Sequence, residues 1–354
     1  NNGNLSLEYK ETKLAWKLNS NSILKISTRS GLEIGLTPDN PVLTVRNGRI
    51  TWVRASELRP GDPIARARLL PKPSRRLKLD TLDLVDLPDD IKVKLRGDVA
   101  KVIVDKLKER YGTLREAAKN LSISEDLLYS FTKHAHFYGM LKRILDVIGF
   151  KLRSEHIEYV EYRNGFKHKI PSLTPDLGYL IGYILGDGTV YIYRGGVRGY
   201  IRVSTKDPDM AAYLLRLLEE LFGRKPELHV DKRTGVYSIT FHSIVLAKMM
   251  YNAGYRKPKD RIVLNPLLTA LDDDFIYSLI AGLIDSGGSF VIRKSGENCR
   301  AHIEFVSTSK DLVYKLHLLL LRYRILSRIR KRKPSRTMLR GRVVKGRQTK
   351  YLLL

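Results

Sequence analysis

The sequence predicts an α+β fold in which a unit of helices and strands occurs twice in the second half of the chain. Two apolar segments about a hundred residues apart, LIGYILGDGTVYI from Leu180 and LIAGLIDSGGSF from Leu279, are similar and are each followed by strand-like and helical segments. Before them, residues 1–70 alternate apolar and polar positions between turn residues, and residues 71–170 become helical.

Residues 1–70 are predicted to form an all-β module, because the short strand signals are separated by Gly, Pro, Asn and Asp. The segment contains Thr37, Pro38, Asp39, Asn40 and Pro41, followed by Trp52, Ala55, Glu57, Leu58, Gly61 and Asp62. It resembles the splicing domain of inteins, a Hint-like module, and the resemblance assigns Thr37 and Asn40 to splicing-motif positions. A fragment of an unrelated β-sandwich is the alternative.

The resemblance also implies that the chain as written does not splice itself. Intein motifs have Thr-x-x-His here, and the histidine helps to activate the first scissile peptide bond. Asn40 occupies the histidine position, and an asparagine side chain cannot shuttle a proton. The chain also begins with Asn1 rather than Cys or Ser, and ends in Leu354 rather than His-Asn. We therefore expect an incomplete splicing module.

Residues 71–170 are predicted to be a linker and a small helical insertion. PKPSRRLKLD from Pro71 marks the boundary, and GTLREAAKNLSISEDLLYSFTK from Gly112 has the spacing of a helix-turn-helix. Ser124 is predicted to cap the second helix. That helix would present Lys133 and its neighbours to a DNA groove. A small packing bundle is the alternative.

Residues 171–354 contain two helices that are predicted to pack together. A helix turns about 100° per residue, so glycines four residues apart share a face. Gly178, Gly182 and Gly186 follow this spacing in the first helix, and Gly282 with Ser286 follows it in the second. Small residues at this spacing allow two helix backbones to touch.

These residues resemble the LAGLIDADG homing endonucleases. The motif occurs twice, and the downstream signals are repeated, so that Val203, Ser204 and Thr205 are predicted to correspond to Val306, Ser307 and Thr308. The resemblance implies a duplicated αββαββα saddle with both motif helices at a pseudo-twofold interface. An ordinary close-packed helix pair is the alternative.

In this family the last acid of each motif holds a divalent metal ion that cuts one DNA strand. Asp187 matches that position in the first motif, and Gly287 stands there in the second. Asp285 matches the first, non-catalytic aspartate. A carboxylate at a helix C-terminus is disfavoured by ~0.3 to 1 kcal/mol, so we interpret Asp187 as a buried acid with a function.

The resemblance implies a Mg²⁺ or Mn²⁺ cofactor, because carboxylate oxygens suit these ions. Peptide carbonyls near Gly186 and Ser286 would assist Asp187 and the residue at 287. A lysine often organises the water in this family, and Lys257 and Lys259 are the candidates. The absence of an acid at Gly287 implies an impaired or inactive nuclease.

The composition predicts a nucleic acid as the partner, and the resemblance implies double-stranded DNA with a long recognition site. The net charge is +27, and the pI is near 10.0. Residues 322–354 hold thirteen Lys or Arg without an acid, which is typical of a surface that contacts phosphates. Arg328, Arg330 and Arg332 would share one face of a strand. A solvated basic tail is the alternative.

Further DNA contacts are predicted on the strands and turns of both copies. They are Tyr191, Tyr193, Arg198, Tyr200, Arg202, Lys232, Arg233 and Arg293.

Other features narrow the class of protein. Cys299 is the single cysteine, which excludes an intrachain disulfide or a zinc cluster of cysteines. No apolar run reaches the ~18 residues of a membrane span, so we expect a cytoplasmic protein. The resemblance to two-motif LAGLIDADG endonucleases implies a monomer with internal pseudo-twofold symmetry. Three functions stay open: a site-specific endonuclease of intein origin, a DNA-binding or maturase-like protein without cleavage, and a protein-splicing element.

Overall fold

A computed structural model describes residues 7–8, 10–15, 17, 19–73, 77–295, 298–334, 336–339, 342–345 and 348–354. The chain divides into two compact units. The larger unit comprises residues 77–256 and 264–287, and the smaller unit comprises residues 1–76, 257–263 and 288–354. Helices and strands are numbered along the chain.

The N-terminal module, residues 24–66 of the smaller unit, contains two antiparallel hairpins. The first is formed by β1 (Leu24–Ser27) and β2 (Glu33–Leu36), and the second by β3 (Pro41–Arg46) and β4 (Arg49–Arg54). Asn47 and Gly48 join β3 to β4 with positive φ angles, the conformation that a two-residue hairpin turn requires. The short strands predicted from the sequence are therefore present, and their intein-like character stays a prediction.

Residues 92–168 of the larger unit combine four helices with a small sheet. The helices are α1 (Gly97–Tyr111), α2 (Leu114–Leu121), α3 (Glu125–Tyr129) and α4 (Tyr138–Val147), and the strands are β5 (Lys92–Leu95), β6 (His136–Phe137), β7 (Ile157–Glu161) and β8 (Lys167–His168). The strand order is β6-β5-β7-β8. Ile103, Leu128 and Phe131 are buried. Thr113 caps α2 through its side chain, whereas Ser124 precedes α3 without the predicted side-chain cap.

The first copy of the repeat is a complete α-β-β-α-β-β-α unit. It consists of α5 (Pro175–Asp187), β9 (Thr189–Ile192), β10 (Gly199–Thr205), α6 (Pro208–Phe222), β11 (Glu227–Asp231), β12 (Val236–His242) and α7 (Ile244–Ala253). The antiparallel sheet has the order β11-β12-β10-β9. Ile201, Val203, Ile239 and Phe241 are buried on one of its faces, while alternate residues point to the other face.

The second copy repeats this strand order. Its motif helix α8 (Asp273–Gly287) lies in the larger unit, and the smaller unit contains β13 (Gly288–Ser295), β14 (Asn298–Ser307), α9 (Lys310–Leu321), β15 (Ile329–Arg332) and β18 (Lys350–Leu353). The sheet order is β13-β14-β18-β15. A separate hairpin, β16 (Arg336–Leu339) with β17 (Arg342–Lys345), follows β15. The predicted duplication is therefore present in the topology.

The predicted correspondence of Val203 to Val306 is wrong by one residue. Val203 and Phe305 are both 1% exposed. Each lies two residues before a hydroxyl side chain, Thr205 in the first copy and Ser307 in the second. Thr205 Oγ1 accepts from Asp207 N, and Ser307 Oγ accepts from Ser309 N in the same way. Because strand side chains alternate, a one-residue slip moves every side chain to the opposite face.

Within the described residues, no helix combines the length and the apolar character that crossing a membrane would require.

Candidate active site at a helix pair

Helices α5 and α8 touch backbone to backbone. A Cβ at Gly182 would overlap the carbonyl oxygen of Leu279, and a Cβ at Gly282 would overlap that of Tyr179. At Gly178 a Cβ would lie 2.8 Å from the oxygen of Phe275. The predicted glycine face is therefore confirmed, since any larger side chain would separate the two backbones.

The contact between α5 and α8 continues to the C-terminal ends of both helices. A Cβ at Gly186 would overlap Ser286 Oγ, so these two residues lie side by side. Asp187 and Gly287 are the last residues of α5 and α8. The structure therefore brings the two motif positions to the same end of the helix pair, as the sequence predicted.

Asp187 is exposed, and the prediction of a buried acid is wrong. The close contact of the helices ends at Gly186 and Ser286, and Asp187 follows it where α5 leads into β9. Burial raises the pKa of Tyr183, and the charge of Asp187 acts in the same direction. An exposed carboxylate at this junction is accessible to a cation from the solvent.

The second motif contributes no side chain at the matching position, because residue 287 is glycine. Ser286 Oγ donates a hydrogen bond to the oxygen of Leu283 at 3.1 Å. Asp285 accepts a hydrogen bond of 2.8 Å from the Tyr179 hydroxyl of α5. Asp285 therefore links the two helices, and it does not replace the missing acid at 287.

Tyr179 is a site residue that the sequence did not indicate. Burial raises its pKa, and the hydrogen bond to Asp285 acts in the same direction. The phenol therefore stays protonated and can donate to the carboxylate. A tyrosine inside an apolar helix carries no sequence signal of a partner 106 residues away.

The acidic residues fit only half of a two-ion site. Mg²⁺ prefers six oxygen ligands, usually one or two carboxylates with waters and substrate phosphates. In the described part of the chain, no group of three or more His, Cys, Asp or Glu residues is placed to hold a metal ion. Asp187 provides one carboxylate, and Gly287 provides none.

The candidate lysines lie in the segment 257–263 of the smaller unit, whereas Asp187 belongs to the larger unit. Burial lowers the pKa of Lys257, and the charge of Lys259 acts in the same direction. The side chain of Lys257 is exposed, and that of Lys259 is half-buried. Their catalytic role stays a prediction.

The first sheet has an open face that carries aromatic and cationic side chains. Tyr191 pairs with Tyr200 across β9 and β10, and their rings stack with centroids 5.6 Å apart. Arg202 lies over the Tyr200 ring at 5.3 Å and donates through Nε to Thr240 Oγ1 at 3.0 Å. Such a surface offers guanidinium groups and π faces to a nucleic acid.

The loop after β9 extends this surface. The rings of Tyr193 and Tyr191 are 5.0 Å apart, and the Arg198 guanidinium lies 5.8 Å from the centroid of the Tyr193 ring. His242, which the sequence did not indicate, packs on Tyr200 at 5.8 Å. His242 reaches this position because it pairs with Tyr200 across β10 and β12. No motif in the sequence predicts that pairing.

Lys232 and Arg233 are exposed in the predicted turn, which joins β11 to β12. Arg233 N donates to Asp231 Oδ1 at 2.9 Å, and the hydroxyl of Thr234 donates to Oδ2 at 2.7 Å. These hydrogen bonds lower the pKa of Asp231. The turn therefore presents its two cations in an ordered conformation.

The basic strand β15 is the edge strand of the second sheet. Arg328, Arg330 and Arg332 are exposed, as predicted for one face. On the other face Ile329 is 4% exposed but Lys331 is exposed, so exposure does not alternate along the whole strand. Arg332 pairs with Lys350 of β18. Arg293 lies in β13, and its side chain is outside the described residues.

The remaining predicted residues lie in the other modules. Lys133 is exposed, but it follows a 3-10 turn at Ser130–Thr132 and does not lie on α3, which ends at Tyr129. Asn40 Nδ2 donates to Thr37 Oγ1 at 2.7 Å, so the two splicing-motif positions are in contact. A hydrogen bond from Thr37 also lowers the pKa of Asp39. Splicing and DNA-binding roles for these residues stay predictions.

Comparison with known proteins relates the repeated unit to a described domain. The profile of the LAGLIDADG-like domain matches residues 174–251 and 274–353, so each repeat is similar to that domain. The structure is also similar to a solved structure of the homing endonuclease I-DmoI with DNA and manganese. The similar region covers 51% of this chain and 89% of that chain, with 17% sequence identity and a TM-score of 0.32.

Curated relatives contain a similar segment within longer proteins. A reverse gyrase of Thermococcus kodakarensis is 27% identical over 339 residues, which cover 92% of this chain and 18% of that protein. An A-type ATP synthase subunit of Methanopyrus kandleri is 22% identical over 321 residues, covering 87% of this chain and 29% of that protein. The chain thus spans less than a third of the length of either relative.

Proposed function

We propose that the chain is a site-specific endonuclease for double-stranded DNA whose cleavage is impaired by Gly287. The observation that carries this proposal is the junction of α5 and α8, where Asp187 and residue 287 end two helices in backbone contact. Two LAGLIDADG-like segments supply these helices. The pairing suits one acid for each DNA strand.

A divalent ion such as Mg²⁺ or Mn²⁺ fits the chemistry of the carboxylate at Asp187. When bound with a DNA phosphate, such an ion would polarise the scissile phosphodiester. The task of this chain is to hold the Asp187 carboxylate at the exposed end of α5. Because Gly287 offers no oxygen from its side chain, the second half of the site is incomplete.

The relatives support an intein origin. The names reverse gyrase and ATP synthase subunit describe proteins of different function. Both proteins nevertheless contain a segment that is similar to about nine tenths of this chain. A minor segment shared by otherwise unrelated proteins is expected of an inserted element. The N-terminal hairpins with Thr37 and Asn40 in contact fit the splicing-like part of such an element.

A DNA-binding or maturase-like protein without cleavage is the second candidate, and Gly287 favours it. Both candidates require DNA binding by the chain, which its net charge of +27 supports. The two candidates differ in one respect, since only a nuclease should gain cleavage when the acid at 287 is restored. A self-splicing element is disfavoured by Asn40.

DNA binding can be tested by selection from a library of random duplexes, followed by footprinting on the enriched sequence. We expect one enriched family of sites and one protected stretch of DNA within the enriched sequence. A parallel selection in the presence of heparin as competitor controls for nonspecific electrostatic binding. Failure to enrich any sequence would contradict site-specific binding.

The basic strand gives a further prediction. Replacement of Arg328, Arg330 and Arg332 by Ala should flatten the plot of log affinity against log salt, because each lost phosphate contact removes ~0.9 from the slope. If one arginine instead contacts guanine through two hydrogen bonds, its single replacement should cost ~1 to 3 kcal/mol on the selected site only. Titrations at several salt concentrations distinguish the two cases. Unchanged slope and affinity would place β15 away from the DNA.

A further inference from the structure

The turn of the first hairpin lies against the outer edge of β15. Ile329 N donates to the oxygen of Ser30 at 2.9 Å, on the side of the strand that does not face β18. Gly31 has a φ of 83°, and a Cβ there would overlap the oxygen of Ile329. The Tyr314 hydroxyl of α9 donates to the oxygen of Gly31 at 2.8 Å. The N-terminal module therefore covers and fixes this edge.

This contact places Arg29 beside the predicted DNA-binding strand. Arg328 Nη2 donates to the main-chain oxygen of Arg29 at 3.1 Å, and both side chains are exposed. The row continues along β15 and across to β18. We call the following residues the basic edge: Arg29, Arg328, Arg330, Arg332 and Lys350.

In the described part of the chain, no carboxylate neutralises the charge of the basic edge. Glu33, the acid of the first hairpin, is engaged by Lys25 at 3.1 Å and by Lys310 at 2.7 Å. Among the carboxylates that the structure describes, none forms an ion pair with the basic edge. Like charges held together repel, so the arrangement suits a polyanion that replaces the missing counter-charges.

We propose that the basic edge is a phosphate-binding site for duplex DNA that the N-terminal module and the second copy form together. The inference rests on the proposed DNA-binding function and adds Arg29 and Lys350 to its residues. Contacts of this kind hold the backbone and fix orientation without reading bases. The N-terminal module is then part of the DNA-binding surface.

The test compares Arg29→Ala with Arg49→Ala in the full chain. Both residues are exposed arginines of the N-terminal module, but Arg49 begins β4 in the other hairpin. Affinity for a labelled duplex is measured over a salt series. Arg29→Ala should reduce the slope of log affinity against log salt by ~0.9, Arg29→Lys should keep most of it, and Arg49→Ala should leave it unchanged. Urea midpoints verify that all three variants fold.

Other results would overturn the inference in distinguishable ways. If Arg330→Ala lowers the slope and Arg29→Ala does not, β15 binds DNA without the N-terminal module, and the proposed function stands. If Arg29→Ala and Arg49→Ala lower the slope equally, the loss reflects the overall positive charge of the module, and no local site exists. If wild type shows no salt-dependent duplex binding, the proposed function fails together with the inference.

Discussion

Replacement of Gly182 by alanine should destabilise the larger unit by about 3 kcal/mol, at the upper end of the cost of overpacking. The added Cβ would overlap the backbone oxygen of Leu279, which cannot move as a flexible side chain would. The two helices must then separate or shift along their whole contact. Urea unfolding followed by circular dichroism measures the loss.

Gly97→Ala is the matched control for this prediction. Gly97 is the first residue of α1, and a Cβ there meets no atom within 4 Å. The same chemical change should therefore be neutral or stabilise by ~0.4 to 1 kcal/mol through the unfolded state. Equal midpoints for Gly182→Ala and wild type would show that the backbones of α5 and α8 are not in contact.

Restoring an acid at position 287 should produce the largest change in activity. Gly287→Asp should raise Mg²⁺-dependent cleavage of a plasmid carrying the selected site by about two orders of magnitude, since ~3 kcal/mol of transition-state stabilisation corresponds to that factor. Binding should change little, because phosphate contacts are spread over many side chains. Conversion of supercoiled to linear plasmid is the measurement.

Gly287→Asn is the control, because it adds nearly the same volume without the charge. It should remain as inactive as the glycine chain. Residue 287 ends α8, where the helix dipole disfavours a carboxylate by ~0.3 to 1 kcal/mol, so a small loss of stability is expected from the aspartate alone. Equal cleavage by the glycine, asparagine and aspartate chains would show that residue 287 takes no part in the chemistry.

The sequence predicted the helix pair well, because the spacing of Gly178, Gly182 and Gly186 follows directly from helix geometry. It did not predict that Asp187 is exposed, since exposure depends on where the contact between α5 and α8 ends. The correspondence between the copies was misplaced by one residue. The similar residue types around Val306 suggested that it aligns with Val203. The burial of Phe305 shows that Phe305 is the residue that corresponds to Val203.

Contacts between residues distant in the chain were beyond prediction. The arginines of β15 are exposed as predicted, although Lys331 on the other face is exposed as well. The contact of Arg328 with Arg29 joins residues 299 positions apart. The hydrogen bond between Tyr179 and Asp285 is similar, because the partner of a buried hydroxyl is chosen by helix packing. Periodicity gives the face of an element and not the element that packs on it.

The central claim is that Asp187 and residue 287 form the two halves of one cleavage site. Its most direct test is plasmid cleavage by Gly287→Asp with and without Asp187→Asn, together with DNA affinity and urea midpoints for both chains. We predict that adding Asp187→Asn abolishes linear product, while affinity and midpoint stay the same, because the exposed Asp187 carboxylate contributes charge to the site rather than packing. Undiminished linear product from the double variant would contradict the claim, as would a loss of product accompanied by unfolding.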